Sequence, residues 1–262
     1  MNLKPIIKNL LTKIKIKYMK TSMKLLIVTI AAEFILTLAG IVVLRNTIQK
    51  NIVFGSNKII SEKTIIKPFR ELSIQGDITV HWKKSDSAYI RLKMDETLAK
   101  EITVNSNEMK LFIKGPDVFR KTKTVITVFG PSFRMLSMDK GCTFFTDDTL
   151  CSDTIHICSM NGSNARLKTN NQLIHIESIN GSDVQIIGKT DVVEAEVKNG
   201  SVVKVDHLQI RKANVQAFSG SSVSIMVSDT ITATASSGSN IDLYGNPIFK
   251  QIHTDESSSI NQ

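Results

Sequence analysis

From Leu136 to the end of the chain, apolar and polar positions alternate around a glycine that returns about every twenty residues. The blocks read NGSNARL at 161–167, NGSDVQI at 180–186, NGSVVKV at 199–205, SGSSVSI at 219–225 and SGSNIDL at 237–243. An imperfect first copy, KGCTFFT, lies at 140–146, and a truncated last one, ESSSI, at 256–260. The marker glycines are Gly141, Gly162, Gly181, Gly200, Gly220 and Gly238, with Ser257 in the seventh place, so the spacings are 21, 19, 19, 20, 18 and 19. Aligned on the glycine, the odd offsets are apolar or small. Ile157, Ile176, Ala195, Val215 and Ala233 stand five before it, and Ala165, Val184, Val203, Val223 and Ile241 three after. The even offsets are polar: His156, His175, Glu194, Asn214 and Thr232 six before, Arg166, Gln185, Lys204, Ser224 and Asp242 four after. A period of two on either side of a fixed glycine is a strand, a corner and a strand. Repeated at this period without a helical stretch, it predicts an all-β fold, a β-solenoid whose coils pair in parallel and bury one another's apolar positions. The general preference for right-handed crossovers makes it a right-handed, parallel β-helix-like coil. The glycine column calls for φ > 0 or a close backbone approach, and Asn161, Asn180 and Asn199 before it suit a tight turn and a ladder of stacked amides. Small inner residues predict a thin, filled cross-section.

Upstream the pattern is also β. Leu72, Ile74, Ile78, Val80 and Trp82 alternate with Ser73, Thr79 and His81, as a half-buried strand does. After a polar turn at Lys83–Ser87, Ile90, Leu92 and Met94 form a return strand, which predicts a hairpin. Ile102, Val104, Leu111 and Ile113 around Asn105–Glu108 read as a second hairpin, and Val125–Phe129, closed by Gly130-Pro131, as a further strand after the loop Lys114–Lys123. These hairpins are expected to cap the N-terminal end of the solenoid, with Trp82 in the core.

The N-terminus follows a different rule. Leu25–Leu44 is a twenty-residue apolar run broken by one charge, Glu33. As a helix it would be about 30 Å long, enough to cross a bilayer core. Residues 1–24 hold seven lysines and no acid, so most of the chain's net charge of +9 is there and the remainder carries only +2. That distribution excludes a basic nucleic-acid-binding domain and, by the positive-inside rule, predicts residues 1–24 in the cytoplasm and everything after about residue 45 outside it. The expected organisation is a basic tail (1–24), a transmembrane signal anchor (25–44), a linker (45–62) and a β-solenoid domain (63–262). Apolar spacing at Ile7, Leu10, Leu11, Ile14 and Tyr18 leaves open a surface helix in the tail. The competing reading of the anchor is a cleaved signal peptide, with Thr37-Leu38-Ala39 as the cleavage site and secretion as the consequence. Translation could begin at Met1, Met19 or Met23.

Cys142, Cys151 and Cys158 lack CxxC spacing and permit at most one disulfide. His156 and His175 would stack on adjacent coils near Glu177 and Glu194, a set that could hold a metal, but outward columns of a solenoid take any polar residue. Asp183 alone fits a calcium β-roll, Asp206, Asp229 and Asp242 occupy different repeat positions, and no GxSxG elbow is present. No catalytic, cofactor-binding or metal residue is therefore assigned.

The order KPFRELSIQGDITVHW, hairpins, then reiterated NGS and SGS blocks ending in GNPIFKQIHTDESSSI resembles the head GIN domain over about Glu62–Gln262. That family is also described as auto-transporter adhesins and occurs in bacterial envelopes. Its members show SGGSD-like blocks, whereas here Asn opens several blocks and the second glycine is missing. The resemblance implies a β-helical extracytoplasmic domain and supplies no catalytic residues. The expectation is a membrane-anchored, non-catalytic, adhesin-like binding protein of the cell envelope, sited in the inner membrane with its solenoid in the periplasm. Its partners would be the membrane and an envelope protein or glycan. A transmembrane envelope sensor and a carbohydrate-active β-helix enzyme are the alternatives.

Overall fold

A computed structural model describes residues 21–50, 58–115 and 125–262. The tail through residue 20, with Met1 and Met19, the linker residues 51–57 and most of the loop before Val125 lie outside the described residues. The chain forms two units, residues 1–52 and 53–262.

The first unit holds one long helix, α1 (Thr21–Lys50), which contains the apolar run. Its segment Leu25–Asn46, 22 residues, is long and apolar enough to cross a membrane, and none of it is buried against protein. The two hydroxyls in the run are satisfied within the helix: Thr29 Oγ1 donates to Leu26 O (2.9 Å) and Thr37 Oγ1 to Phe34 O (2.9 Å). Such back-bonding lets a threonine sit in an apolar setting.

The second unit is a β-solenoid. Its strands are β1 (Ile59–Ile65), β2 (Glu71–Gln75), β3 (Thr79–Lys84), β4 (Tyr89–Asp95), β5 (Thr103–Ser106), β6 (Lys110–Lys114), β7 (Val125–Gly130), β8 (Met135–Asp139) and β9 (Thr143–Thr146). They continue as β10 (Leu150–Met160), β11 (Asn164–Ile179), β12 (Asp183–Lys198), β13 (Val202–Phe218), β14 (Ser222–Ser236), β15 (Asn240–Tyr244), β16 (Phe249–Thr254) and β17 (Ser259–Asn261). A single helical turn, α2 (Glu96–Ala99), follows β4, capped by the Asp95 carboxylate accepting from Thr97 N (2.9 Å).

The repeat alignment matches the register of the sheet. Ile157 pairs in parallel with Ile176, and that column continues through Ala195, Val215 and Ala233 to Ile252. Ala165 likewise leads through Val184, Val203, Val223 and Ile241 to Ile260. Every member of these columns before the last coil is buried. Each corner from Lys140-Gly141 to Ser237-Gly238 is a pair of left-handed residues, such as Asn180 (φ 59°) and Gly181 (φ 71°). A Cβ on Gly181 would meet nothing within 4 Å, so conformation rather than crowding selects the glycine. The expected amide ladder is present: Asn180 Nδ2 donates to Asn161 Oδ1 (2.9 Å) and Asn199 Nδ2 to Asn180 Oδ1 (2.8 Å). The serines after Gly162, Gly181 and Gly220 are buried and turn their hydroxyls back onto the corner, as Ser182 Oγ does onto Ile179 O (2.9 Å).

A second bend lies opposite the corners. In β11 the buried positions shift from odd to even between Asn171 and Ile174. Here carbonyls of the neighbouring coil need donors: Thr169 Oγ1 donates to Leu150 O (3.0 Å) and Asn171 Nδ2 to Ser152 O (2.6 Å). Differences in coil length are absorbed at this bend. The register slips between Gln185 and Gly188 and again between Val205 and Ile210, while the corners stay aligned.

The N-terminal region departs from the expected hairpins in one respect. Leu72–Trp82 is not one strand but a coil, β2 and β3, broken at Gly76 (φ 91°) and paired in parallel with β8 and β9. β6 and β7 form another such coil on its far side. The return strand β4 pairs antiparallel with β7 and β1, not with β3, so the first predicted hairpin does not form. The reason is parity. Ile74 and Ile78 are four apart, so alternation passes through a corner unchanged, and a straight strand and a folded coil look alike. The second hairpin, β5 with β6, forms as expected, and β1, β4 and β5 close this end. Trp82 is fully buried, edge-on to Phe133 at 5.8 Å.

Candidate binding faces

The strands put their even offsets on two outward faces. One face is built by strands that precede a corner. On it His156 and His175 stack at 4.4 Å with an interplanar angle of 11°, and His175 Nδ1 lies 2.8 Å from Glu194 Oε2. Glu177 sits in the next column, opposite Cys158 and Glu196. Burial raises the Cys158 thiol above its ordinary value, and the Glu177 carboxylate adds to the shift. Among the described residues no group of three or more His, Cys, Asp or Glu is arranged to hold a metal ion. The structure thus brings the two histidines together with Glu194 and leaves this face acidic at its centre.

The scattered carboxylates stay apart. Asp229 and Asp191 flank Arg211, each at 3.8 Å. Asp242 accepts from Asn240 (3.0 Å) and Asn261 (2.8 Å). All three cysteines are free: Cys142 buried, Cys158 half-buried and Cys151 exposed. Cys142 occupies the buried serine column, 3.5 Å from Ser163 Oγ, and burial pushes its thiol up. At the second bend an open groove of ≈ 680 Å³ runs past Ile210, Met226 and Val227, with Lys189 and Arg211 at its rim.

The other face, built by strands that follow a corner, carries a feature the sequence pattern did not single out. Strand registers extend the column four after the glycine back across the N-terminal strands. It runs from Lys63 through Arg91, His81, Phe145 and Arg166 to Lys204. Aromatic rings are threaded between the cations. Tyr89 stacks on Phe129 (4.3 Å, 9°), with Lys63 Nζ 4.2 Å from the Tyr89 centroid and the Arg91 guanidinium 5.2 Å from that of Phe129. His81 stacks on Phe145 (5.0 Å), and Arg166 approaches the same ring at 5.8 Å. Asp147 is held between His81 Nδ1 (2.9 Å) and Lys83 Nζ (3.4 Å). The signal for this column lay at His81, which falls four past the corner once Gln75-Gly76-Asp77 is seen as one.

A family profile described as putative auto-transporter adhesin, head GIN domain, matches residues 68–247. The chain belongs to this family. The matched span of the head GIN domain begins just before β2 and ends just after β15, so it takes in the rearranged N-terminal coils as well as the NGS repeats. Solved structures share the fold. A putative adhesin from Bacteroides fragilis superposes with a TM-score of 0.73 at 15% identity, covering 80% of this chain and 99% of that one. A putative adhesin from Parabacteroides distasonis gives 0.64 at 15%, covering 80% and 100%. A putative lipid binding protein from the same species gives 0.63 at 16%, covering 80% and 98%. At such identities the likeness concerns the fold. No curated relative matches the chain.

Proposed function

We propose that this head GIN protein is a membrane-anchored, non-catalytic binding protein of adhesin type, displayed outside the cytoplasm. The carrying observation is the partition of the solenoid into a filled interior and two long outward faces. The paired coils bury their odd offsets completely and leave rigid, continuous rows of polar side chains. Such rows offer an extended contact surface rather than a cleft that encloses a small substrate. Family membership supports the adhesin reading. The exposed apolar helix, preceded by the lysine-rich tail, supports an anchor with its N-terminus in the cytoplasm.

Fractionation tests the anchor and the topology together. The chain should remain with the membrane at its intact mass of 29.0 kDa, and protease added to spheroplasts should digest the solenoid without lysis. A product cleaved near Ala39 would overturn the anchor, and digestion only after lysis would overturn the topology. Turnover of a polysaccharide by the purified chain would overturn the non-catalytic reading.

A further inference from the structure

We infer that the column from Lys63 to Lys204 is a track for a linear acidic polysaccharide lying along the solenoid axis. This deepens the binding role proposed above and rests on it.

Strand registers place the column on β1, β4, β7, β3, β9, β11, β12 and β13 in turn. At about 4.8 Å per strand it is about 34 Å long. Its intervening members, Thr127 and Gln185, are uncharged, and the first carboxylate in line is Asp242, two strands beyond Lys204. Lys63, Arg91, Arg166 and Lys204 are exposed, and among the described residues none of them is in an ion pair. Cations aligned without counter-charges repel one another, and an anionic chain laid over them would relieve that repulsion.

The aromatic rings narrow the chemistry. Tyr89 and Phe129 cover each other, and Phe145 lies against His81 with Arg166 also close to its ring. Single-stranded nucleic acid is gripped by stacking bases on free aromatic faces, and here those faces are already engaged. The rings instead hold the cations in place, so recognition falls to charge and N–H donors. Position narrows it further. From β3 to β12 the flanking column carries Thr79, Thr143, Asn164 and Asp183 and no cation, and farther along, on β4, it carries Lys93 beside Arg91. A line of charge suits a chain with a carboxylate on successive sugars better than it suits the plane of a lipid headgroup surface.

The test uses the full chain in non-ionic detergent and titrates polygalacturonate, neutral dextran, single-stranded DNA and vesicles of phosphatidylglycerol. Polygalacturonate should bind, dextran should not, and affinity should fall as salt rises. Arg91→Gln/Arg166→Gln/Lys204→Gln should lower that affinity by about tenfold or more, whereas Glu194→Gln/Glu196→Gln on the opposite face should leave it unchanged. If the triple variant fails to fold by circular dichroism, Arg166→Gln and Lys204→Gln singly must each weaken binding. Unchanged affinity in folded variants would overturn the inference. So would DNA or vesicles binding as tightly as polygalacturonate with the same loss, since that is a surface for polyanions at large. Absence of polyuronate binding by a chain that is membrane-embedded and protease-exposed would remove this inference alone. A solenoid facing the cytoplasm would remove the proposed function itself.

Discussion

Trp82 and Cys142 show how much a single buried residue depends on its neighbours in the adjoining coils. Trp82 fills the core of the N-terminal coils, yet among the described residues its indole N–H has no hydrogen-bond partner. A buried donor without an acceptor costs stability, whereas the ring's apolar bulk contributes it. Trp82→Phe should therefore change the unfolding free energy by less than about 1.5 kcal/mol, while Trp82→Ala should cost about 3–5 kcal/mol. Denaturant melts of the two variants separate the terms. Cys142 stands where later coils place a buried serine, such as Ser163, Ser182 or Ser201. Cys142→Ser should fold with stability within about 1 kcal/mol of the parent, because the hydroxyl at this site finds a backbone acceptor at Ser163, Ser182 and Ser221. In the folded parent, maleimide should label exposed Cys151 first and buried Cys142 last, with burial holding the Cys142 thiol protonated. Rapid labelling of Cys142 would mean that the first NGS-type coil opens easily.

At the scale of the element, the corner does two separable jobs. Its left-handed residues turn the chain, and its amide side chains tie one coil to the next. Asn180→Gly keeps the left-handed backbone and removes two ladder bonds, so it should cost about 1 kcal/mol. Asn180→Ala also loses the two bonds and keeps a Cβ in that conformation without the polar side chain that eases it in asparagine, raising the loss to about 2–3 kcal/mol. Equal losses in thermal or denaturant unfolding would show that the ladder, rather than the conformation, carries the corner. The second bend works differently. At Gly188 (φ 122°) a Cβ would lie 2.0 Å from Thr169 O, so close approach is added to conformation there. This bend could not be read from the repeat. It has no fixed residue type, and Thr169, Gly188 and Leu208 all meet its demand for a backbone turned toward its neighbour.

The molecule as a whole is asymmetric along its axis. At one end β1, β4 and β5 cover the coils, whereas β16 and β17 each pair with a strand on one side only and are largely exposed. In a stack held by nearest-neighbour contacts the less covered end opens first. Along the repeat coils from β10 onward, hydrogen exchange should be fastest in β16 and β17 and slowest in β12 and β13. Asp255 ties the last coil to the one before. Its carboxylate accepts from Ser237 N (2.7 Å) and from Ser257 Oγ (2.9 Å), and the backbone bond from Ser237 does most to bring its pKa down to about 2. A carboxylate depressed in the folded state stabilises above its unfolded value of about 3.9, and the effect fades as pH falls toward the folded value. Protection of β16 and β17, taken relative to the intrinsic amide exchange rate at each pH, should therefore fall between about pH 4 and pH 2. Asp255→Asn should remove most of that dependence. Uniform exchange across the coils would argue for a single cooperative unit.

Much of the fold was legible because a β-solenoid repeats its instructions. The spacing of Gly162, Gly181 and Gly200 announced the corners, and the parity of Ile157, Ala165 and their columns sorted interior from exterior. His156 and His175 could be placed together for the same reason. What the chain order hid was the position of unlike neighbours. β2 and β3 lie between a coil that follows them directly in space, β8 and β9, and another built from β6 and β7, which comes between them in sequence. Alternation has the same phase in a strand and across a corner, so nothing local distinguished Leu72–Trp82 from a straight strand. The column from Lys63 to Lys204 exists only once that interleaving brings β1, β4, β7 and β3 into register with the repeats. Sequence alone determined the solenoid and its dry interior, because burial and the left-handed corner act within each coil. Tertiary structure decided which cations share a line, because that depends on which strand pairs with which.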